Sequence, residues 1–526
     1  MRGKRKNAPS RREILRGAQV LGAAVLAPQA FSGCGSEPGG PFQHGVASGD
    51  PLPDGVILWT RVTASGSAPV SVSWQIANDP ELGQTVASGT AETGAERDYT
   101  VKVDVRGLEP GRTYYYQFEI LGGWSPIGRT RTAPAAGVQR ARFGVASCSS
   151  HAQGYFHAYR ALAGRADLDA VIHLGDYIYE GGPGDFGSTR QPEPPHELLT
   201  LSDYRTRHAQ YKRDPDLQEV HRQHPFIAVW DDHEFANNAA RDGAEAHQPE
   251  TDGIWADRKG AALRAHAEWM PIREQPDGRI WRTLSWGDLA DLVMLDTRIW
   301  GRTGGSEALV GPPPAPDPAR TLLGDDQAAW LEGQISGSVA RWKLVAQQVL
   351  VANVTVMPGT LFNLDQWHGY PESRTRLLEF VRTSGVRDVV VLTGDIHTSW
   401  ANELVIDPND PAQYDPATGA GAIAVELVTP GITSPGLPPE YAAVVDSARQ
   451  YNPHVRWVDL MRKGYLVLDV VPERVQAAWF LYDDVTRAGA AQETFAAAWS
   501  VRTGSTRLEQ DATFAAPPDT PPAPAP

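Results

Sequence analysis

Between residues 141 and 482 the chain carries short apolar runs that stop abruptly on polar residues. They read ARFGVASC (141–148), DAVIHLGD (169–176), PFIAVWDDHE (225–234), ADLVMLD (290–296), WKLVAQQV (342–349) and DVVVLTGD (388–395). AIAVELVTP (422–430), GYLVLDV (464–470) and RVQAAWFLY (474–482) follow. Runs this short and this rich in Val, Ile and Leu are strands covered on both faces. Helical stretches separate them, so the pattern predicts an α/β fold with a buried mixed sheet. Ligands bind such sheets at the carboxyl ends of strands.

Four of those ends hold residue types that ligate metals: Cys148; Asp176 with Tyr179; Asp231, Asp232 and His233; and Asp395 with His397. Several carboxylates pressed into one place repel each other and stay ionised only among cations. Oxygen ligands suit Ca²⁺, Mg²⁺ or Mn²⁺, whereas a phenolate and a thiolate at one site point to a more Lewis-acidic ion such as ferric iron. Each residue alone has a plainer role. Tyr179 reads equally as a core aromatic, and Asp395 with His397 as a turn and a satisfied histidine. Their joint occurrence at strand ends predicts a metal centre, with Asp176 between two ions and Tyr179 beside it.

Upstream, residues 43–135 alternate in the manner of a small all-β domain. VILWTRV, VSVSWQIA, YTVKVDV and YYYQFEI are strand candidates separated by turn clusters. The stretch GLEPGRTYYYQFEI resembles the fibronectin type III segment in which an aromatic packs across a corner. This region shows no cluster of catalytic residue types. At the other end, TFAAPPDTPPAPAP is Pro/Ala-rich and predicts a disordered tail.

The N-terminus reads as an export signal. SRREIL (10–15) is a twin-arginine pattern and precedes the modest apolar run AQVLGAAVLA (18–27). The alternative is a basic N-terminus of a cytoplasmic protein. FSGCGS places Cys34 where bacterial lipoproteins carry a lipidated cysteine, though Phe31 is unusual there. No other stretch approaches the ~20 apolar residues of a transmembrane helix. The chain has two cysteines, so a lipidated or removed Cys34 leaves Cys148 without a partner. A net charge of −15 argues against wrapping a nucleic-acid backbone.

The series GDYIY, DDHE and GDIH resembles the calcineurin-like metallophosphoesterase pattern. HGVASGDPLPDGVILWTRV, FGVASCSS, HLGDYIYEGG, AVWDDHEFANN and LTGDIHTSW are similar, more specifically, to the PhoD-type alkaline phosphatase/phosphodiesterase family, over residues 43–482. The resemblance implies a four-layer α/β/β/α metallophosphoesterase sandwich preceded by a small all-β fibronectin III-like sandwich. The expected divisions are 1–40 for the export signal with a possible lipobox, 41–136 for the β-sandwich, 137–505 for the catalytic domain and 506–526 for the tail.

It also implies Fe³⁺ and Ca²⁺ as cofactors. Cys148, Asp176, Tyr179 and His397 would hold iron, Asp176 would bridge to calcium, and Asp232 and Asp395 would complete the calcium ligands. Asp231 stands as a ligand or as the partner of one. His233 takes the place of the histidine that stabilises the departing or equatorial oxygen. Asn237 and Asn238 would contact phosphate or metal. Arg298 is a phosphate contact or an ion-paired structural residue, and Trp367 and Tyr370 would shape substrate access. The superfamily's VxxH histidine is absent; a glutamine of VAQQ (345–348) lies where it would stand.

The function implied is an exported phosphoester hydrolase, monoester or diester, in which hydroxide held by the metals attacks phosphorus. Its expected partners are the substrate, the twin-arginine translocase and a lipid anchor at Cys34. A phospholipase D-type phosphodiesterase and an inactive surface binding protein are the alternatives.

Overall fold

The computed structural model describes residues 40–526 except 64, 65, 67, 305–307, 438–448 and 519. The export signal and Cys34 lie outside the described residues.

Two large sheets carry the runs predicted as strands. One has ten strands, in spatial order Leu508–Asp511, Thr494–Arg502, Arg474–Tyr482, Lys463–Val471, Ala141–Ala146, Ala170–His173, Pro225–Ala228, Val46–Leu52, Gly55–Arg61 and Thr100–Arg106. The other has seven: Arg282–Trp286, Ala290–Met294, Trp342–Gln347, Val389–Thr393, Ala424–Val428, Ser399–Leu404 and Val455–Asp459. Each sheet has a parallel middle. Ala141–Ala146, Ala170–His173 and Pro225–Ala228 run together in one. Ala290–Met294, Trp342–Gln347, Val389–Thr393 and Ala424–Val428 do so in the other.

Alternation explains why these strands are apolar throughout. Leu344, Val390 and Leu392 of the second sheet share a core with Phe143, Val145 and Val171 of the first. Val345, Val389 and Val391, which point the other way, pack with Leu331 and Ile335 of helix Gly324–Gly337 and Leu378 of helix Pro371–Thr383. With both faces covered, no position on these strands has to be polar until the strand ends. That is the physical origin of the abrupt stops in the sequence.

The N-terminal region is less separate than its sequence suggests. Its strand Val46–Leu52 runs parallel to Pro225–Ala228, so the ten-stranded sheet crosses from residues 46–106 into the rest of the chain. A five-stranded sheet packs over that end, and Val56, Leu58, Val101, Val72, Ile76, Tyr116 and Phe118 form the core between them. Tyr114 sits at the corner, where its hydroxyl accepts from the Glu109 amide at 2.9 Å.

The tail is a correction. The described residues of 506–526 do not stand away from the body. Leu508–Asp511 is the edge strand, and beyond it the backbone meets donors from distant segments. The Ala516 carbonyl accepts from Arg140 and Arg142 at 2.5 and 2.9 Å, and that of Ala523 from the Tyr115 hydroxyl at 2.6 Å. Ala525 exchanges two bonds with the Gln223 amide. Proline lacks an N–H, so a Pro-rich strap has few donors of its own to satisfy, and arginines supply its carbonyls. Composition alone could not show those partners.

Candidate metal centre

The four strand-end motifs come together at one edge. The loops after Ala141–Ala146, Ala170–His173, Pro225–Ala228 and Val389–Thr393 turn inward, and a bridge between Ser147 and Gly431 ties the two sheets there. The turns are tight. Cys148, Asp176, Asn238, Asp395 and His397 all adopt positive φ, between 54° and 60°. Such conformations cost about 1–3 kcal/mol each in non-glycine residues and cluster where function requires them. Gly175 shows how close the loops approach: a Cβ there would lie 2.4 Å from that of Asp231.

Cys148, Asp176 and His397 bring one ligating atom each within 4.8 Å of one another. The Tyr179 hydroxyl joins them, 3.0 Å from Asp176 Oδ2 and 3.2 Å from His397 Nε2, and accepts from Ser434 Oγ at 2.6 Å. His397 Nδ1 lies 3.2 Å from the Pro435 carbonyl, an acceptor only, so Nδ1 carries the proton and the Nε2 lone pair faces the cluster. That is how a ligating imidazole is normally oriented. Burial, then the charges of Asp176 and nearby groups, push both the Cys148 thiol and the Tyr179 phenol well up. Neither would ionise here without a cation.

A second group, Asp231, Asp232 and Asp395, lies beside the first, and Asp176, Asp232 and His233 form a third. Arg298 passes between them. Its guanidinium reaches Asp231 Oδ1 at 2.5 Å, Asp365 Oδ2 at 2.6 Å, Asp395 Oδ1 at 2.7 Å and Asp232 Oδ1 at 3.4 Å. It is delivered by Asp296, whose carboxylate accepts the amides of Arg298, Ile299 and Trp300 and so shapes the turn. Arg302 adds a second guanidinium against Asp365. Four carboxylates thus share two guanidiniums, with Asp176 alongside.

Asp231 Oδ2 is buried and has no hydrogen-bond partner, and burial, outweighing Arg298, pushes its carboxyl well up. An excess of buried negative charge, an orphaned carboxylate oxygen, and a thiol, phenol and imidazole lone pair converging on one carboxylate fit bound cations.

His233 is placed differently. Its Nδ1 is 2.7 Å from Glu180 Oε2, its ring stacks on Tyr179 at 4.1 Å, and its amide donates to Asp176 Oδ1 at 3.2 Å. Burial lowers its pKa, but Glu180, Asp176 and Asp232 outweigh that and raise it to about 10. Asn237 and Asn238 face the cluster through their backbones, donating to Glu180 Oε1 at 2.7 Å and Asp232 Oδ2 at 2.6 Å. Both side-chain amides donate instead to Glu245.

Two expectations change, and of the two roles open to Arg298 one is seen. Trp367 and Tyr370 do not border an entrance. Both are buried, with Trp367 Nε1 donating to Gln347 Oε1 at 3.0 Å and the Tyr370 hydroxyl to the Thr303 carbonyl at 2.8 Å. Their aromatic bulk fills the core beneath the loop, and Asp365 and Gln366 are what the loop delivers; Gln366 Nε2 donates to Asp395 Oδ2 at 2.6 Å. Arg298 is an ion-paired residue rather than an open phosphate contact. Gln347 and Gln348 are tied to neighbouring loops, by Trp367 Nε1 and the Val349 amide in one case and by Thr297 in the other, so neither replaces a missing histidine ligand.

Two acidic residues inside the ligand motifs, unassigned from the sequence, also position ligands. Glu234 of DDHE accepts the amides of Asp231, Tyr177 and Asp176 at 2.7, 2.5 and 2.9 Å and staples two ligand loops together. Glu180 of YIYEGG holds His233. An acidic residue directly beside a ligand motif was the available signal for both.

Comparison with known proteins finds similarity over most of the chain. The profile described as PhoD-like phosphatase matches residues 143–479, and that of the PhoD-like phosphatase N-terminal domain matches residues 30–134. The sequence is 37% identical over 475 residues to alkaline phosphatase D of Bacillus subtilis (strain 168), covering 86% of this chain and 80% of that one. A solved structure titled "Structure of PhoD" superposes with a TM-score of 0.83 at 34% identity, over 92% of this chain and 94% of the other. The strand-end cluster therefore sits in a shared framework, and the chain belongs to the PhoD-like phosphatase family.

Proposed function

We propose that the chain is a metal-dependent phosphoric ester hydrolase of the alkaline phosphatase and phosphodiesterase kind, exported by the twin-arginine pathway and lipid-anchored through Cys34. The observation that carries the catalytic reading is the convergence of Cys148, Asp176, Tyr179 and His397 on one side and Asp231, Asp232 and Asp395 on the other. Family membership supports the reaction class. We read the core shared by the two sheets, with helices on the far face of the second, as the four-layer α/β/β/α order. The small N-terminal sheet and its partner strands are read as the fibronectin III-like sandwich.

Cys148, Asp176, Tyr179 and His397 would hold iron(III), and Asp176, Asp232 and Asp395 would hold calcium. Bound there, the ions would neutralise the phosphoryl oxygens and make water nucleophilic near neutral pH. The chain's own groups do the rest. His233, oriented by Glu180 and charged, donates a hydrogen bond or its proton to the departing oxygen. Arg298 keeps Asp231, Asp365 and Asp395 in place against their mutual repulsion. Glu234 fixes the loops of Asp176 and Asp231, so ligand positions do not reorganise during the reaction. A depression of about 270 Å³, bordered by Asn238, Glu245, Arg302 and Asp365, adjoins this group and gives room for the alcohol of a diester.

Rates on p-nitrophenyl phosphate and bis-p-nitrophenyl phosphate test the reading. Turnover of either, lost in Asp176→Asn and on chelation, is expected. No turnover of either by metal-replete protein would refute it and favour a binding role.

A further inference from the structure

One hairpin of the N-terminal sheet is built against the needs of the fold. Strands Thr113–Ile120 and Gly123–Trp124 pair with Ile120 opposite Gly123 and Glu119 opposite Trp124. The two turn residues, Leu121 and Gly122, have φ of 51° and 79°. A two-residue turn with both φ positive favours Asn-Gly, because a branched apolar side chain is strained there. Leu121 is nevertheless present and 98% exposed, and Trp124 is 57% exposed. Neither the turn nor the core accounts for a leucine at this position. The Glu119 carboxylate folds back onto the turn and accepts the Gly122 amide at 2.6 Å.

The same turn lies where the described chain begins. Gly123 is pressed against Pro41, so that a Cβ there would come 2.8 Å from Pro41 Cγ. Pro41 is held by its carbonyl, which accepts the Thr63 amide at 2.7 Å, and Phe42 beside it is buried in the core. Cys34 is seven residues earlier in the sequence. Seven residues span at most about 25 Å, which keeps any lipid on Cys34 within reach of the hairpin.

We propose that the hairpin Ile120–Trp124 is a membrane contact, with Leu121 among the upper acyl chains and the Trp124 indole at the headgroup level of the bilayer that holds the Cys34 anchor. The proposal rests on the anchor reading and not on the hydrolase reading. Indole rings favour the membrane interface, and a second contact beside an acyl anchor makes attachment more stable and fixes its orientation.

The test uses the full exported chain carrying Leu121→Cys, labelled with an environment-sensitive dye and mixed with vesicles of phosphatidylethanolamine and phosphatidylglycerol. Cys148 is buried, and a lipidated Cys34 has no free thiol. Val339→Cys is the control, because Val339 is 96% exposed at an unrelated position. The protein should float with the vesicles, and brominated acyl chains should quench the dye at position 121 at least about threefold more than at position 339. Leu121→Asn with Trp124→Thr should leave hydrolysis of p-nitrophenyl esters unchanged, and asparagine suits the turn better than leucine.

Equal quenching on a lipidated, floating protein would overturn the proposal at the hairpin. A chain whose intact mass shows no lipid and which does not float would overturn it at the anchor. Protection of the dye without vesicles, rising with protein concentration, would assign the hairpin to a second copy instead.

Discussion

Two groups of buried ionisable side chains handle charge in opposite ways. At the strand ends, Asp231, Asp232, Asp365 and Asp395 surround Arg298 as a dense, strained, charged assembly. Behind it, His173, His208, His221, His266 and Lys212 form a basic layer that avoids charge. Lys212 is 1% exposed and donates to His221 Nε2 at 3.0 Å, and the Tyr177 hydroxyl lies 2.8 Å from that same nitrogen. Burial alone pushes the Lys212 ammonium far down, and burial is the first cause that lowers each histidine. A group that can discard its charge by losing a proton does so in the interior. Carboxylates crowded on one guanidinium can lose charge only by taking up a proton, the direction in which burial pushes Asp231, and otherwise need cations to join them. The first region is therefore built for a ligand and the second for packing.

The largest effect expected from breaking this contrast is at Arg298. Replacing it with methionine leaves carboxylates uncompensated in the interior and should cost about 3–5 kcal/mol in the metal-free protein, read by denaturant unfolding. Added divalent cation should return part of that loss, because it supplies the missing positive charge. Next comes Asp176→Asn. Losing the partners behind a metal ligand costs about 10–100-fold, so losing a ligand shared by both ions should lower kcat/KM by more than about a hundredfold and reduce bound metal.

The basic layer predicts a pH effect of definite sign. His173 and His266, lowered by burial to about 3, titrate near 6.5 in the unfolded chain. Their folded pKa lies below the unfolded value, so the unfolded state binds the proton first. The stability they contribute is complete above pH 6.5 and falls as pH drops from there towards 3, at on the order of 1 kcal/mol per histidine per pH unit. Melting temperatures across pH 7 to 4.5 measure it. The smallest effect is Lys212→Met, which replaces a chain whose charge burial disfavours with one of similar volume and should cost under about 1.5 kcal/mol. A cost comparable to that of Arg298→Met would mean that the lysine is charged and would undo the contrast.

The strands and ligand motifs were legible because both follow from local facts. Strands covered on both faces are apolar until they end, and the residues that end them here are of ligating types. The arrangement around the ligands was not local. Arg298 reaches carboxylates from three separate loops, and a lone LDTR sequence does not distinguish such a residue from a phosphate contact. Trp367 and Tyr370, expected to shape substrate access, lie in the polar and aromatic stretch GTLFNLDQWHGYPESR (359–374). In the fold its aromatics, Trp367 and Tyr370, are buried while Asp365 and Gln366 engage Arg298 and Asp395. The tail failed for the same reason: its partners, Arg140, Arg142, Tyr115 and Gln223, are far away in sequence.

The central claim is that the strand-end cluster holds metal through Tyr179 as well as through carboxylates. The most direct measurement is the visible absorption spectrum of natively exported protein, with metal content determined on the same sample. The account predicts iron and calcium in the protein and a phenolate-to-iron(III) charge-transfer band that disappears in Tyr179→Phe. A colourless, iron-free protein that hydrolyses phosphoesters at full rate, with or without Tyr179→Phe, would contradict it.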